Sequence, residues 1–116
     1  MSERRATLFI EDILESINAI ESFVDGYDYE HFILDRKTYS ATLREFIVIG
    51  EAISNILDTL NSRFPDVDWR MIKDFRNFIV HEYFGIDASI VWDAVKQELP
   101  GLKERIEQLK STLPED

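Results

Sequence analysis

Residues 69–85, WRMIKDFRNFIVHEYFG, decide how the chain folds and hold its most informative side chains. The segment is typical of an amphipathic helix because, at about 100° per residue, its apolar residues recur on one side. Those residues are Met71, Ile72, Phe75, Phe78 and Ile79. A second set lies on an arc roughly opposite, namely Arg76, Asn77, Val80, His81 and Tyr83. We expect the apolar side to face the core and the second set to point away from it.

The second set combines a cation, an amide, an imidazole and a phenol, which together suit the handling of a phosphate group. Arg76 offers a fixed fork of donors for phosphate oxygens. His81 is a candidate acid or base, because histidine is the side chain best suited to proton transfer near neutral pH. The alternative is that both residues belong to the solvated face of an ordinary helix, since a short Arg-x4-His spacing arises by chance.

The spacing of apolar residues predicts further helices before and after this segment. The predicted ranges are 7–24, ending before Gly26; 37–62; 68–85, with Asp68 as N-cap; and a fourth helix from its cap Asp87 through Val95. Residues 27–35, which include His31, are expected to form a turn or a short helix. Pro100 should interrupt the fourth helix, either as a kink or as the first turn of a fifth helix reaching Leu113. Short connections between long helices favour an all-α fold, an up-down four-helix bundle with an additional short or broken C-terminal helix.

Gly50 and Glu51 stand out within the predicted second helix. Gly inside a helix costs about 1 kcal/mol relative to Ala, so we expect a close helix crossing at Gly50. Glu51 follows it and is placed to orient Arg76 or His81 across the bundle. The alternative is that Glu51 is simply a solvated carboxylate.

The length and the content of 45% aliphatic and aromatic residues predict one globular domain over residues 1–116. Such a chain buries roughly two thirds of its unfolded surface. Since Cys is absent and only two His are present, we expect neither disulfides, nor a protein-built transition-metal site, nor a cofactor. No apolar run approaches the roughly 18 residues of a transmembrane helix, and the N-terminal residues have no signal-peptide stretch. We therefore expect a cytoplasmic protein without membrane contact.

The net charge of −10 argues against general nucleic-acid binding, which depends on Lys and Arg. The charge is unevenly distributed, however. Residues 1–36 carry nine acids against three bases, and residues 87–116 carry seven against four. Residues 63–86 carry four of each. Any contact with RNA is therefore expected to be local, in the part of the chain that holds Arg76 and His81.

Several motifs, in order along the chain, resemble the HepT-like branch of the HEPN (higher eukaryotes and prokaryotes nucleotide-binding) superfamily. Residues 47–52, IVIGEA, are similar to that family's second-helix signature, and Phe64-Pro65 with residues 69–72, WRMI, resembles its entry to the third helix. Residues 76–83 fit its Arg-x4-His-x-Tyr motif, which YFGID at 83–87 and Val91-Trp92 continue. The resemblance covers essentially the whole chain, with no departure at the motif positions.

The resemblance implies a HEPN-like fold and a toxin of a type VII-like, two-gene toxin–antitoxin system. The toxin would be a metal-independent ribonuclease that cleaves cellular RNA, such as tRNA or mRNA. The resemblance also implies a homodimer in which the motifs of two subunits approach each other. The antitoxin would be a cognate minimal nucleotidyltransferase that transfers AMP to the motif tyrosine, Tyr83.

The chemistry of these residues is compatible with that activity. RNA carries its own nucleophile, the 2′-hydroxyl, so one side chain must remove its proton and another must stabilise the negative charge that develops. His81 is the candidate base or acid, Arg76 the candidate stabiliser, and Asn77 could hold the phosphate or fix the imidazole tautomer. The alternative function is a non-catalytic helical homodimer that binds a nucleotidyltransferase partner or a nucleotide, and a plain structural bundle is the third.

Overall fold

The structure, a computed structural model, describes residues 3–82 and 85–113, and every regular element in that part of the chain is helical. The helices are α1 (Glu3–Val24), α2 (Tyr29–Leu34), α3 (Arg36–Ser54), α4 (Leu57–Arg63), α5 (Trp69–His81), α6 (Ala88–Asp93) and α7 (Leu99–Thr112). A π-helical turn, Ala94–Glu98, joins α6 to α7. The all-α prediction is confirmed.

Aspartate side chains cap the N-termini of four of these helices. Asp28, Asp35, Asp68 and Asp87 each accept a hydrogen bond from a backbone N–H in the first turn of the helix that follows. Such N-caps satisfy donors that have no partner within the helix. The predicted caps Asp68 and Asp87 are confirmed. Gly26, just beyond α1, has a φ of 77°, a conformation that glycine adopts without strain after a helix end.

The predicted second helix over 37–62 is wrong in one respect, because it is broken into α3 and α4 at residues 55–56. Ser54 Oγ donates to the Gly50 carbonyl at 2.9 Å, and Asn55 Nδ2 donates to the Glu51 carbonyl at 2.8 Å. Side chains that bond the backbone in this way compete with the helical hydrogen-bond pattern. Ile56, only 3% exposed, turns into the core at the break.

Pro100 lies in the first turn of α7, where its missing N–H costs little. The helix before it does not stop but widens, and the Leu99 N–H reaches back to the Ala94 carbonyl. Pro100 thus lies in the first turn of a helix, as one of the two predictions had it, but the predicted interruption is a π-helical widening rather than a stop. The path from α6 to α7 is continuous through the π-helical turn.

The core lies between α1, α3, α5 and α7. The centre of α1 is a fully buried stripe of Ile10, Ile13, Ile17 and Ile20, which is spaced so that one helix face meets both α3 and α7. Helix α5 packs on the other side of α3, through Ile79 and Trp69 among others. Because α5 packs mainly on α3 rather than on α7, a groove is left between α5 and α7.

Met71 is an exception to the predicted apolar face of residues 69–85. It was expected in the core but is 65% exposed, whereas Trp69 is 1% exposed. Trp69 Nε1 donates to the Phe64 carbonyl at 3.1 Å, so the indole is buried with its only donor satisfied. The face that α5 presents to the core is therefore rotated toward Trp69 and away from Met71.

We expect Asp35→Asn to lower the free energy of unfolding at neutral pH. We also expect it to make that free energy depend less on pH in the acid range. The Tyr27 hydroxyl, 2.5 Å from the Asp35 carboxylate, and the Thr38 N–H and hydroxyl lower the pKa of Asp35 to about 2. Because the pKa of Asp35 is lowered in the folded state, the stability that its ionised carboxylate contributes is fully present above about pH 4. That contribution is lost as the pH falls toward 2. Melting temperatures between pH 7 and pH 2 should show the difference from wild type narrowing, with the exposed Asp66→Asn as control.

Candidate functional site

Arg76 lies where α5 crosses α3, directly over Gly50. A Cβ atom added at Gly50 would lie 2.4 Å from the Arg76 Cβ and 2.6 Å from its Cγ, closer than two carbon atoms can approach. The predicted close helix crossing at Gly50 is therefore confirmed, and its neighbour is the stem of Arg76. The expectation that Arg76 points away from the bundle is wrong, because its side chain runs along α3 and is only 29% exposed.

The guanidinium of Arg76 is held by two acceptors. Its Nη1 donates to the Asn77 side-chain carbonyl at 2.7 Å, and its Nη2 forms an ion pair with the Glu51 carboxylate. Its Nε is buried and has no hydrogen-bond partner. Since a guanidinium has five N–H donors, the two contacts fix its orientation and leave further donors for a ligand.

Glu51 and Asn77 thus act on Arg76 rather than on His81. The prediction that Glu51 orients one of these two residues is resolved in favour of Arg76. Asn77 accepts from Arg76, so its carbonyl is not engaged with the imidazole. The negative charge of Glu51, which is 53% exposed, offsets part of the positive charge that Arg76 could offer to a phosphate.

His81 is the last residue of α5, and it is exposed. No hydrogen bond or ion pair joins its imidazole to the side chain or backbone of another described residue. Val80 beside it is 41% exposed, as expected for the solvent side of α5. The structure therefore gathers Gly50, Glu51, Arg76 and Asn77 at the α3–α5 crossing, while His81 stands apart at the helix end. Tyr83 lies outside the described residues.

The described part of the chain contains no group of three or more His, Cys, Asp or Glu residues arranged to hold a metal ion. Within the same residues, no helix combines the length and apolarity needed to span a membrane. The candidate site offers the guanidinium of Arg76 with its two acceptors, and the exposed imidazole of His81. Such groups can bind a phosphodiester and move protons.

The groove beside α5 was not predicted from the sequence. It is lined by α5, α3 and the continuous run from α6 to α7. The only signal was Met71, which lies at the edge of the apolar arc rather than at its centre. The spacing of apolar residues describes the faces of a helix about its own axis. It does not show which of those faces has no neighbouring helix against it.

Comparison with known proteins identifies the family. Residues 13–109 match the family model described as Ribonuclease HepT-like. A protein of Thermococcus cleftensis named "Probable ribonuclease HepT" is 37% identical over 102 residues, which are 88% of this chain and 93% of that protein. The protein named "Putative RNase MJ1380", from Methanocaldococcus jannaschii, is 37% identical over 107 residues, 92% of this chain and 98% of its own. No solved structure shows a significant match. The chain therefore belongs to the HepT-like ribonuclease family.

Proposed function

We propose that the chain is the toxin of a two-gene toxin–antitoxin pair and acts as a homodimeric, metal-independent ribonuclease on cellular RNA. The observation that carries the proposal is the oriented guanidinium of Arg76, five residues before the exposed His81 on the same helix. Membership of the HepT-like family supports reading this pair as the machinery of RNA cleavage. Arg76 and His81 are the proposed catalytic residues, with Asn77 and Glu51 in support.

The proposed reaction uses the 2′-hydroxyl of RNA as the nucleophile. One imidazole removes its proton, and the oxygen attacks the adjacent phosphorus. Arg76 stabilises the negative charge that builds up on the phosphoryl oxygens. The bond from phosphorus to the 5′-oxygen then breaks, and that oxygen takes a proton from an acid. The products are a 2′,3′-cyclic phosphate and a free 5′-hydroxyl.

A homodimer supplies what one copy lacks. The reaction needs a base and an acid, and each subunit has a single histidine in the motif, His81. His81 of the partner subunit would take the second role. Two copies of the motif also double the local positive charge, which matters in a chain with a net charge of −10. The antitoxin in this proposal is a cognate minimal nucleotidyltransferase.

The test is RNA cleavage by the purified protein in the presence of a chelator. We expect cutting to continue in EDTA and to leave 2′,3′-cyclic phosphate ends, because the nucleophile and the proton carriers need no metal. Absence of cleavage from every RNA tested, or loss of cleavage on adding EDTA that Mg²⁺ restores, would overturn the proposed mechanism.

Tyr83 is the proposed site of neutralisation. Its phenolic oxygen would attack the α-phosphorus of ATP on the nucleotidyltransferase, with pyrophosphate leaving. An attached AMP adds negative charge close to the motif and repels RNA phosphate. We expect co-expression with the cognate nucleotidyltransferase to add one or more AMP units to wild type and to Tyr29→Phe, but none to Tyr83→Phe. Intact-mass measurement decides it, and an equal mass increase on Tyr83→Phe would refute the assignment.

A second function, a non-catalytic homodimer that binds a nucleotidyltransferase or a nucleotide, is favoured by one observation. Glu51 already occupies one side of the Arg76 guanidinium, and the surrounding chain is acidic. In that case the protein would bind the nucleotidyltransferase or a nucleotide but would cut no RNA. The cleavage assay separates the two functions directly.

A further inference from the structure

Two basic side chains lie on the exposed face of α5, before the residues of the candidate site. Arg70 and Lys73 are in the first two turns of the helix, and both are exposed. At about 100° per residue, they share an arc of about 80° with two members of the candidate site, Asn77 and His81. The four side chains form one stripe along the helix, the α5 stripe. Arg76 starts beside this stripe, and its Nη1 reaches the Asn77 side chain at 2.7 Å.

The charges of Arg70 and Lys73 are not neutralised within the described part of the chain. No ion pair or side-chain hydrogen bond joins either of them to another described residue. Arg76, by contrast, is paired with Glu51. An anion can therefore bind Arg70 and Lys73 without displacing an existing partner.

The length of the α5 stripe indicates what kind of anion fits it. At a rise of about 1.5 Å per residue, Arg70 lies about 17 Å from His81 along the helix axis, with Lys73 between them. A single phosphate group beside His81 is therefore out of contact with Arg70. A polymer that carries a phosphate at each of its residues can bind the whole stripe, and a nucleic-acid strand is such a polymer.

Two carboxylates flank the α5 stripe and limit where such a strand can lie. Asp74 is exposed on one side, one turn after Arg70, and Glu51 of α3 lies on the other side, against Arg76. Both carboxylates repel phosphate, because like charges at short range raise the energy of a complex. The positive charge that a strand can use therefore runs along the helix, through Arg70 and Lys73. In a chain with a net charge of −10, contact with RNA has to be local in this way.

We propose that Arg70 and Lys73 form a phosphate-binding track that holds the RNA strand next to the point of cleavage, and that the strand continues along the α5 stripe to Asn77 and His81. The track rests on the proposed ribonuclease function and extends the candidate site beyond the reacting phosphate. Its two cations bind neighbouring phosphates and take no part in bond breaking. Their loss is therefore expected to weaken substrate binding without slowing the chemical step.

The first test compares variants that each remove one exposed charge. Arg70→Gln and Lys73→Gln should each raise KM for an RNA of several nucleotides about two- to fivefold at low salt, with kcat unchanged. The slope of log KM against log salt concentration should fall by about 0.7 for each cation removed. Arg36→Gln on α3 and Lys110→Gln on α7, both exposed and on other helices, should match the wild type. Asp74→Asn, which removes the carboxylate beside Arg70, should have the opposite effect and lower KM.

The second test measures binding without chemistry and so separates the track from the proposed function. RNA in which every 2′-oxygen is methylated lacks the nucleophile, so its dissociation constant reports binding alone and should rank the variants in the same order. If the wild type cuts RNA but Arg70→Gln and Lys73→Gln match the controls, or lower kcat at an unchanged KM, the track is wrong and the ribonuclease stands. If these two variants weaken binding of the methylated RNA while the wild type cuts no RNA, the ribonuclease is wrong and the binding surface stands. A wild type that neither binds nor cuts RNA would refute both.

Discussion

His81→Ala and Arg76→Ala should each lower RNA cleavage by about 10²- to 10⁴-fold, the range expected when a proton carrier or a stabiliser of transition-state charge is lost. His81 is exposed at the end of α5, so its removal opens no cavity. Arg76→Lys is the more informative change at position 76. It keeps the stem over Gly50 and the positive charge, but it lacks the planar fork that Glu51 and Asn77 orient.

The measurement is the initial rate of RNA cleavage in chelator, with circular dichroism to follow folding. His31→Ala and Arg44→Ala are the controls, because they remove the chain's other histidine and an arginine whose side chain is 79% exposed. Both controls should cut RNA at the wild-type rate. If His81→Ala or Arg76→Ala does so too, the assignment of these residues is wrong.

The helices were largely predictable because their signals are local. Apolar spacing and aspartate caps depend only on neighbouring residues, and Asp68 and Asp87 cap helices where expected. The break between α3 and α4 was not predictable from spacing, since the apolar pattern continues through it. It depends on Ser54 and Asn55 bonding to backbone carbonyls, an outcome that competes closely with an unbroken helix.

The close crossing of α3 and α5 was predictable from the sequence, but the directions of the side chains around it were not. A glycine within a good helix signalled a close crossing, and the structure places Arg76 at that crossing. A helical projection assigns Arg76 an angle about its own axis, yet whether that angle faces solvent depends on where α3 lies. For the same reason the partner of Glu51 remained open between Arg76 and His81 until the packing of α3 on α5 was known.

Gly50 therefore affects both the packing of α3 on α5 and the position of Arg76, a proposed catalytic residue. We expect Gly50→Ala to destabilise the protein by about 1–2 kcal/mol and to lower RNA cleavage by about 100-fold. In most helices the same change stabilises by about 1 kcal/mol. Here the added methyl group would lie 2.4 Å from the Arg76 Cβ, which is fixed to the backbone of α5 and cannot swing aside. Helices α3 and α5 must separate, and the Arg76 guanidinium must move relative to Glu51.

Gly101→Ala provides the matched control for this prediction. Gly101 is also helical, in α7, but an added Cβ there meets only the end of the flexible Arg105 side chain, at 3.4 Å. That variant should gain stability and keep wild-type cleavage. If the crossing at Gly50 positions Arg76, urea unfolding should show a loss of stability for Gly50→Ala and a gain for Gly101→Ala, and only Gly50→Ala should cleave RNA more slowly. Should Gly50→Ala be as stable and active as Gly101→Ala, the close contact at Gly50 would have no part in holding the guanidinium, and its orientation would have to come from Glu51 and Asn77.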